Sequence, residues 1–280
     1  MTVIPDPAWE AVLQRLIATR GTVLFLGRSD SGKSTLVKYL LGELTAIGLT
    51  VAVLDADIGQ SFLGLPGTVS RRTFHAPPTP HELHWEEFSF LGSITPAPIL
   101  SFLAAETGRM TQRCQQGAAI TLVDTTGLVD GELGRALKLA KIQAVAPQLV
   151  VAVAAGGELE PILGCIPVEV AFRLAPSPLV KRRSPEARSR HRQARLAAYL
   201  HCAREHLLVT RRVLFIRHGV PVHPMFAFPA IGTVVGLNHN GVTRALGVIS
   251  EADADSLVVV TPLSSLSGID RVILGDFAFS

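Results

Sequence analysis

Three groups of residues in this sequence have types and spacings suited to moving a phosphate. The first is Gly27-Arg28-Ser29-Asp30-Ser31-Gly32-Lys33-Ser34-Thr35, which fits the pattern G-x-x-x-x-G-K-[ST]. In a loop of this kind the backbone N–H groups wrap nucleotide phosphates, helped by the positive end of the helix that follows. Lys33 reaches the β- and γ-phosphates, and the Ser34 hydroxyl reaches Mg²⁺. The second group is acidic. In DADIGQ (55–60) two aspartates stand two residues apart at the end of an apolar run, so they share one side of an extended chain. Near a metal-phosphate one of them would orient the cation and its waters, and the other would accept a proton from an attacking hydroxyl. Asp124, in DTTG (124–127), is a further carboxylate for Mg²⁺ or a sensing water, and Gly127 leaves room for backbone near the γ-phosphate.

The third group is KRRSPEARSRHRQAR (181–195). Ser184-Pro185-Glu186 is a helix start: N-cap, first-turn proline and first-turn acid. At about 100° per residue, Arg188, Arg192 and Arg195 fall within about 60° of one another and Tyr199 continues their face, while Arg190 points away. Leu196 and Leu200 give only a weak apolar flank, so the N-terminal part is expected to be a mobile cover. A solvated charge adds about 0–1 kcal/mol to stability, and like charges stacked on one face repel. An arginine on a transferring phosphoryl group is worth about 10³–10⁵ in rate. That difference favours a lid over phosphate.

Elements must position these groups. Asp6-Pro7 opens a helix to about residue 20; TVLFLG (22–27) is a short buried strand, followed by a helix over 33–47 and a strand over 50–57. AAITLVDTTG (118–127) is another strand, with a helix over 132–145 and a strand over 148–155 after it. Strands alternating with helices predict an α/β fold, a three-layer parallel sheet whose strand ends form the ligand crevice. After about residue 212 the texture changes. VLFIRHGVPVHPMFAFPAIG is broken by proline, and TVVGLNHNGVTRALGVI reads as two strands around a tight turn at Asn240-Gly241. The expected division is a phosphate-loop domain over 1–212 and a small β-rich C-terminal appendage over 213–280.

The totals exclude several classes. Apolar residues make up 48% of the 280 and charged residues 18%, which excludes a disordered chain. The formal charge is only +3, yet eleven of the 26 lysines and arginines lie between Lys181 and Arg217, against Glu186 and Glu205 alone. Such asymmetry predicts a local polyanionic partner. The three scattered cysteines give no disulfide framework and no zinc spacing. No signal peptide or apolar run of about 18 residues is visible, so a cytoplasmic protein without a membrane span is expected. The scarcity of Lys and Asn fits a thermophile or GC-rich coding equally well.

Together these residues resemble the polynucleotide 5′-hydroxyl kinases related to the mRNA cleavage-factor kinase and the nucleolar pre-rRNA-processing kinases. GRSDSGKST (27–35) matches the family's Walker A loop, and DADIGQS (55–61) its acidic-x-Asp-x-Gly-Gln segment. LPGTVS (65–70) is similar to its Pro-Gly-Thr clasp and RSPEARSRHRQARLAAYL (183–200) to its lid, with FLGSITP (90–96) and DTTG as further likenesses. The resemblance runs from about residue 20 to the end. It implies that Gly27 to Thr35 bind ATP, that Ser34, Asp55 and Asp124 serve Mg²⁺, and that Asp57 is the general base on a 5′-hydroxyl, with Asp55 supporting it. Lys33 and the lid arginines Arg192, Arg188 and Arg195 would complete the catalytic set. Gln60, Pro66, Gly67, Thr68 and Arg183 would meet the RNA or DNA end. Two departures stand out. The phosphate loop begins at residue 27, so a minimal form without the family's large N-terminal β domain is expected, and protein partners stay unknown. Leu128 stands where members often carry an aromatic for base stacking. The alternatives are an ATPase or maturation factor and a nucleic-acid-binding adaptor without phosphotransfer. A guanine-specific Asn-Lys-x-Asp motif is absent, since the asparagines are only Asn238 and Asn240.

Overall fold

A computed structural model describes residues 5–223, 229–253 and 255–279; part of the proline-broken stretch, 224–228, lies outside them. Helix α1 (Ala8–Thr19) starts where the Asp6 carboxylate accepts the Ala8 N–H at 3.0 Å, and it buries Trp9, Val12, Leu13 and Leu16. Strand β1 (Gly21–Gly27) leads into the phosphate loop and α2 (Lys33–Ala46), then β2 (Val51–Ala56). β3 (Thr68–Phe74), β4 (Glu87–Phe90), α3 (Leu100–Gln115), β5 (Ile120–Thr125), α4 (Gly131–Val145), β6 (Leu149–Val153), the short α5 (Glu160–Leu163) and β7 (Ala171–Leu174) complete this half.

The sheet order is β4-β3-β2-β5-β1-β6-β7. From β2 to β7 every pair is parallel, as the alternating pattern requires. The parallel sheet is the expected one, and β3 and β4 extend it at one edge as antiparallel strands. The cause is the connection: 57–67 carries no crossover helix, and a chain that turns back directly must pair antiparallel. The central strands are buried on both faces. Helices α1 and α2 pack with Val23, Phe25, Val51 and Val53 on one face; Leu103, Met110, Leu137 and Val145 pack with Leu24, Leu54 and Val123 on the other. That is the three-layer arrangement, with the ends of β1, β2 and β5 side by side.

Helix α6 (Pro185–Leu200) links this half to a second sheet built from β8 (Arg204–Val209), β9 (Leu214–Arg217), β10 (Val220–Val222), β11 (Thr233–His239), β12 (Val242–Ala252), β13 (Ser256–Thr261) and β14 (Arg271–Ala278). Its order is β10-β9-β14-β11-β12-β13-β8, so it recruits β8 from ahead of residue 213. The β11–β12 turn has φ of 51° at Asn240 and 79° at Gly241, the left-handed pair a two-residue hairpin demands. The two sheets share a cluster in which Leu65, Phe88 and Phe90 meet Leu196, Val234, Leu246, Val248 and Ile273. A Cβ on Gly236 would lie 2.6 Å from the Phe90 ring, so only glycine lets Phe90 seat there. Among the described residues no helix is long and apolar enough to cross a membrane.

Candidate active site

Gly27 through Thr35 join the end of β1 to the start of α2. Asp30 (φ 56°) and Gly32 (φ 95°) take left-handed conformations, the backbone that forms anion-binding nests. Lys33 is 5% exposed and its ammonium donates to the carbonyls of Gly27 (2.9 Å) and Arg28 (2.8 Å). Burial lowers its affinity for the proton, while Asp124, Asp57 and Asp30 raise it. The Arg28 guanidinium turns outward to Asp130, and Ser29 and Thr35 are exposed. The Ser31 hydroxyl lies 3.5 Å from the Lys33 ammonium. Gly127 packs directly on this loop: a Cβ there would lie 2.2 Å from the Ser29 nitrogen.

The three aspartates stand at the ends of β2 and β5, but their surroundings separate them. Asp124 is fully buried; the Ser34 hydroxyl donates to its Oδ2 and the Thr125 N–H to its Oδ1. Burial, with Asp55 close by, pushes its carboxyl up to about 7 despite the opposing Lys33 charge. Asp55 is also fully buried. It accepts the Asp57 N–H on Oδ1, and the Ser61 hydroxyl, Phe62 N–H and Leu63 N–H on Oδ2, at 2.8–3.0 Å. Three donors fill Oδ2 and one meets Oδ1, so Asp55 holds the 57–63 turn, which suits the supporting role the resemblance implies for it. Asp57 is half-buried. Its Oδ1 accepts the N–H groups of Gly59 and Gln60 at 3.1 Å, while Oδ2 makes no hydrogen bond among the described residues.

The lid helix forms as its cap predicts, with the Ala187 N–H on the Ser184 hydroxyl at 3.2 Å. Its C-terminal half is docked: Leu196 is 1% exposed, and the Tyr199 hydroxyl accepts the Leu246 N–H. The N-terminal half buries no apolar side chain and is held by charge. Asp30, whose side chain is 5% exposed, accepts from the Arg183 backbone N–H (3.0 Å), the Arg183 guanidinium (3.3 Å) and the Arg188 guanidinium (2.6 Å). Burial alone would raise the Asp30 carboxyl; these donors bring it below the usual carboxylate range. The three arginines expected to act as one face are thus divided. Arg188 grips the phosphate loop, Arg195 donates to the carbonyls of Phe62 and Gly64, and Arg192 makes no hydrogen bond or ion pair among the described residues. Arg190 is exposed, as its helical angle requires.

In the clasp Pro66, Gly67 and Thr68 are buried, and the Thr68 hydroxyl donates to the Leu65 carbonyl and meets Ser70 at 2.9 Å. In this structure the Thr68 hydroxyl holds its own turn. Gln60 lies at the crevice edge with its amide N–H on the Gly59 carbonyl and its Oε1 buried without a partner. Sequence reasoning missed Lys38, whose ammonium sits 4.7 Å over the Phe62 ring, and two fully buried lysines on α4, Lys138 and Lys141. The signal for the last two was present: Gly134, Leu137, Lys138, Lys141 and Val145 form the inward stripe of α4, with lysine where a core helix carries leucine.

Comparisons with known proteins agree with this geometry. The family model described as "mRNA cleavage and polyadenylation factor CLP1 P-loop" matches residues 27–202. A protein of Thermococcus kodakarensis named polyribonucleotide 5′-hydroxyl-kinase is 31% identical over 209 residues, covering 72% of this chain and 59% of that protein. One of the same name from Pyrococcus furiosus is 37% identical over 142 residues, 50% of this chain and 40% of its own length. The chain thus spans less than two thirds of these relatives. A solved structure, of a wild-type Clp1p–Pcf11p (454–563) complex, shares the fold with a TM-score of 0.77 at 12% identity, covering 99% of this chain and 81% of that one. The matched residues run from the first glycine of the phosphate loop to just past the lid helix, and on that span the chain belongs to the CLP1 P-loop family.

Proposed function

We propose that the chain is an ATP-dependent polynucleotide 5′-hydroxyl kinase. The observation that carries this reading is the free Oδ2 of Asp57, at a strand end beside Lys33, Ser34 and Asp124. An open carboxylate at this place is a proton acceptor for an attacking hydroxyl, and the names of the curated relatives favour an alcohol over water as the nucleophile. The loop would hold the ATP phosphates, with Lys33 leaving its loop carbonyls for the β- and γ-oxygens. Asp57 would take the proton of the 5′-hydroxyl as its oxygen attacks the γ-phosphorus in line, and the bond to the β-phosphate oxygen breaks to release ADP. Arg192, which makes no hydrogen bond or ion pair among the described residues, would neutralise charge on the transferring group.

The residues fit Mg²⁺. The Ser34 hydroxyl and the Asp124 carboxylate already meet, and a hydroxyl beside a carboxylate is the oxygen donor set that Mg²⁺ takes in phosphate-loop sites. Magnesium takes one or two protein oxygens and completes its shell with phosphates and water. It would supply charge neutralisation for the nucleotide phosphates. The names of the curated relatives support a polyribonucleotide substrate. The test is incubation with γ-labelled ATP, Mg²⁺ and 5′-hydroxyl RNA or DNA oligomers. Label on the 5′ end is expected; ATP hydrolysis without labelled ends would leave an ATPase or an adaptor instead.

A further inference from the structure

Lys138 and Lys141 lie one turn apart on the inward face of α4, both at 0% exposure. Burying an ammonium is expensive, and an apolar side chain of the same length would pack on this face without dehydrating a charge. Their partners separate their tasks. Lys138 donates to the Thr125 hydroxyl (2.9 Å) and to the carbonyl of Thr126, with the Thr126 hydroxyl at 3.3 Å. Three acceptors satisfy its nitrogen, and burial together with the neighbouring Lys141 charge lowers its proton affinity far below that of a free lysine. Lys138 is a polar strut. Among the described residues Lys141 makes one hydrogen bond, at 3.1 Å, to the carbonyl of Ala56, the residue between Asp55 and Asp57. Burial brings its ammonium down to about 8, and the charges that hold it up are Asp57, Asp124 and Asp55.

The layers give this a direction. Helix α2, which carries Lys33, packs on one face of the sheet, and α4 packs on the other. The carboxylates at the ends of β2 and β5 therefore stand between Lys33 on the nucleotide side and Lys141 behind them. We propose that Lys141 is a positioning residue for phosphoryl transfer: it holds the Ala56 carbonyl and, through its charge, the place of the Asp57 carboxylate. Lys141 touches neither nucleotide nor acceptor; it acts through Asp57. This rests on the kinase reading above.

The test compares Lys141→Met, Lys141→Gln and Lys138→Met with the wild-type chain in label transfer, nucleotide binding and thermal melting. Lys141→Met is expected to lower kcat by about 10–100-fold, the usual loss when a supporting partner is removed. KM for ATP and for the oligomer should stay within about threefold, because binding contacts are intact. Tm should stay within about 3 °C of wild type. Lys141→Gln keeps a donor for the Ala56 carbonyl without the charge, so it should match wild type in Tm and Lys141→Met in kcat. Lys138→Met should retain kcat within about threefold even where its Tm falls. Wild-type kcat in both Lys141 variants would overturn the proposal. So would kcat and Tm falling in step in Lys141→Met and Lys138→Met alike, the mark of a purely structural lysine. If the wild-type chain labels no 5′ ends, the kinase reading falls on its own. ATP hydrolysis without oligomer then carries the test: loss in Lys141→Met supports the positioning role, and unchanged hydrolysis overturns it.

Discussion

Gly127→Ala isolates the contact between the DTTG turn and the phosphate loop. The added Cβ would lie 2.2 Å from the Ser29 nitrogen, 2.3 Å from its hydroxyl oxygen and 2.5 Å from its Cα. Two of these are backbone atoms, which cannot swing aside. To reach an ordinary contact of 3.4 Å the turn and the loop must part by about 1.2 Å. The loop cannot yield freely, since Arg28 is tied to Asp130 and Asp30 to Arg183 and Arg188. Overpacking of this kind costs about 1–3 kcal/mol of stability, and a displacement of about 1 Å at reacting groups costs about 100-fold in rate. Titration with a fluorescent ATP analogue, thermal melting and phosphotransfer kinetics measure each part. Nucleotide affinity and transfer should both fall steeply while far-UV circular dichroism stays unchanged. Gly42→Ala is the control: it lies inside α2 with nothing within 4 Å of a Cβ, and it should gain about 0.5–1 kcal/mol from helix propensity. Nucleotide binding by Gly127→Ala within about threefold of wild type would refute the reasoning.

Three further outcomes follow from the site. Asp30→Asn removes the carboxylate that grips Arg183 and Arg188, a loss of about 1–3 kcal/mol for charge-assisted bonds to a buried acceptor, so trypsin should cut within 181–190 faster without nucleotide; an unchanged cleavage rate would count against the grip. Arg192→Ala should lower kcat far more than nucleotide affinity, whereas Arg195→Ala should also lower Tm because its donors hold the carbonyls of Phe62 and Gly64; if Arg192→Ala weakened only oligomer binding, Arg192 would be a substrate contact. An unfolded aspartate titrates near 4 and Asp124 at about 7, so the folded nucleotide-free chain holds the extra proton between these values and loses stability as pH rises through that window. On the proposed metal site Mg·ATP would need the ionised carboxylate, so the thermal shift it produces should grow from about pH 6 to about pH 8; a shift that shrinks would remove Asp124 from that site.

The α/β alternation was legible because β1, β2, β5 and β6 are short apolar runs, each followed by a turn or loop toward the next element. The β3–β4 edge was not: TVSRRTF places two arginines in a strand whose alternation is visible only once β2 offers it a partner. β8 was hidden for a similar reason, since REHLLV reads as the tail of the basic helix until β13 pairs with it. At the site, local pattern singled out Lys33, Ser34, Asp57 and Asp124 by strand ends and loop spacing, while the choice of Asp57 as base came from the family resemblance alone. It could not divide Arg188, Arg192 and Arg195, because Asp30 and the 62–64 carbonyls that capture two of them come from elsewhere in the chain. Nor could it foresee that Asp55 and Thr68 make hydrogen bonds within their own turns.

The most direct measurement is single-turnover transfer from γ-labelled ATP to one oligomer bearing either a 5′-hydroxyl or a 5′-phosphate, by the wild-type chain and by Asp57→Asn. Label should appear on the 5′-hydroxyl oligomer alone, and Asp57→Asn should bind ATP with near wild-type affinity while transferring nothing. Transfer by Asp57→Asn at the wild-type rate, or hydrolysis of ATP with no label on either oligomer, would contradict the assignment of Asp57 as the base for a 5′-hydroxyl.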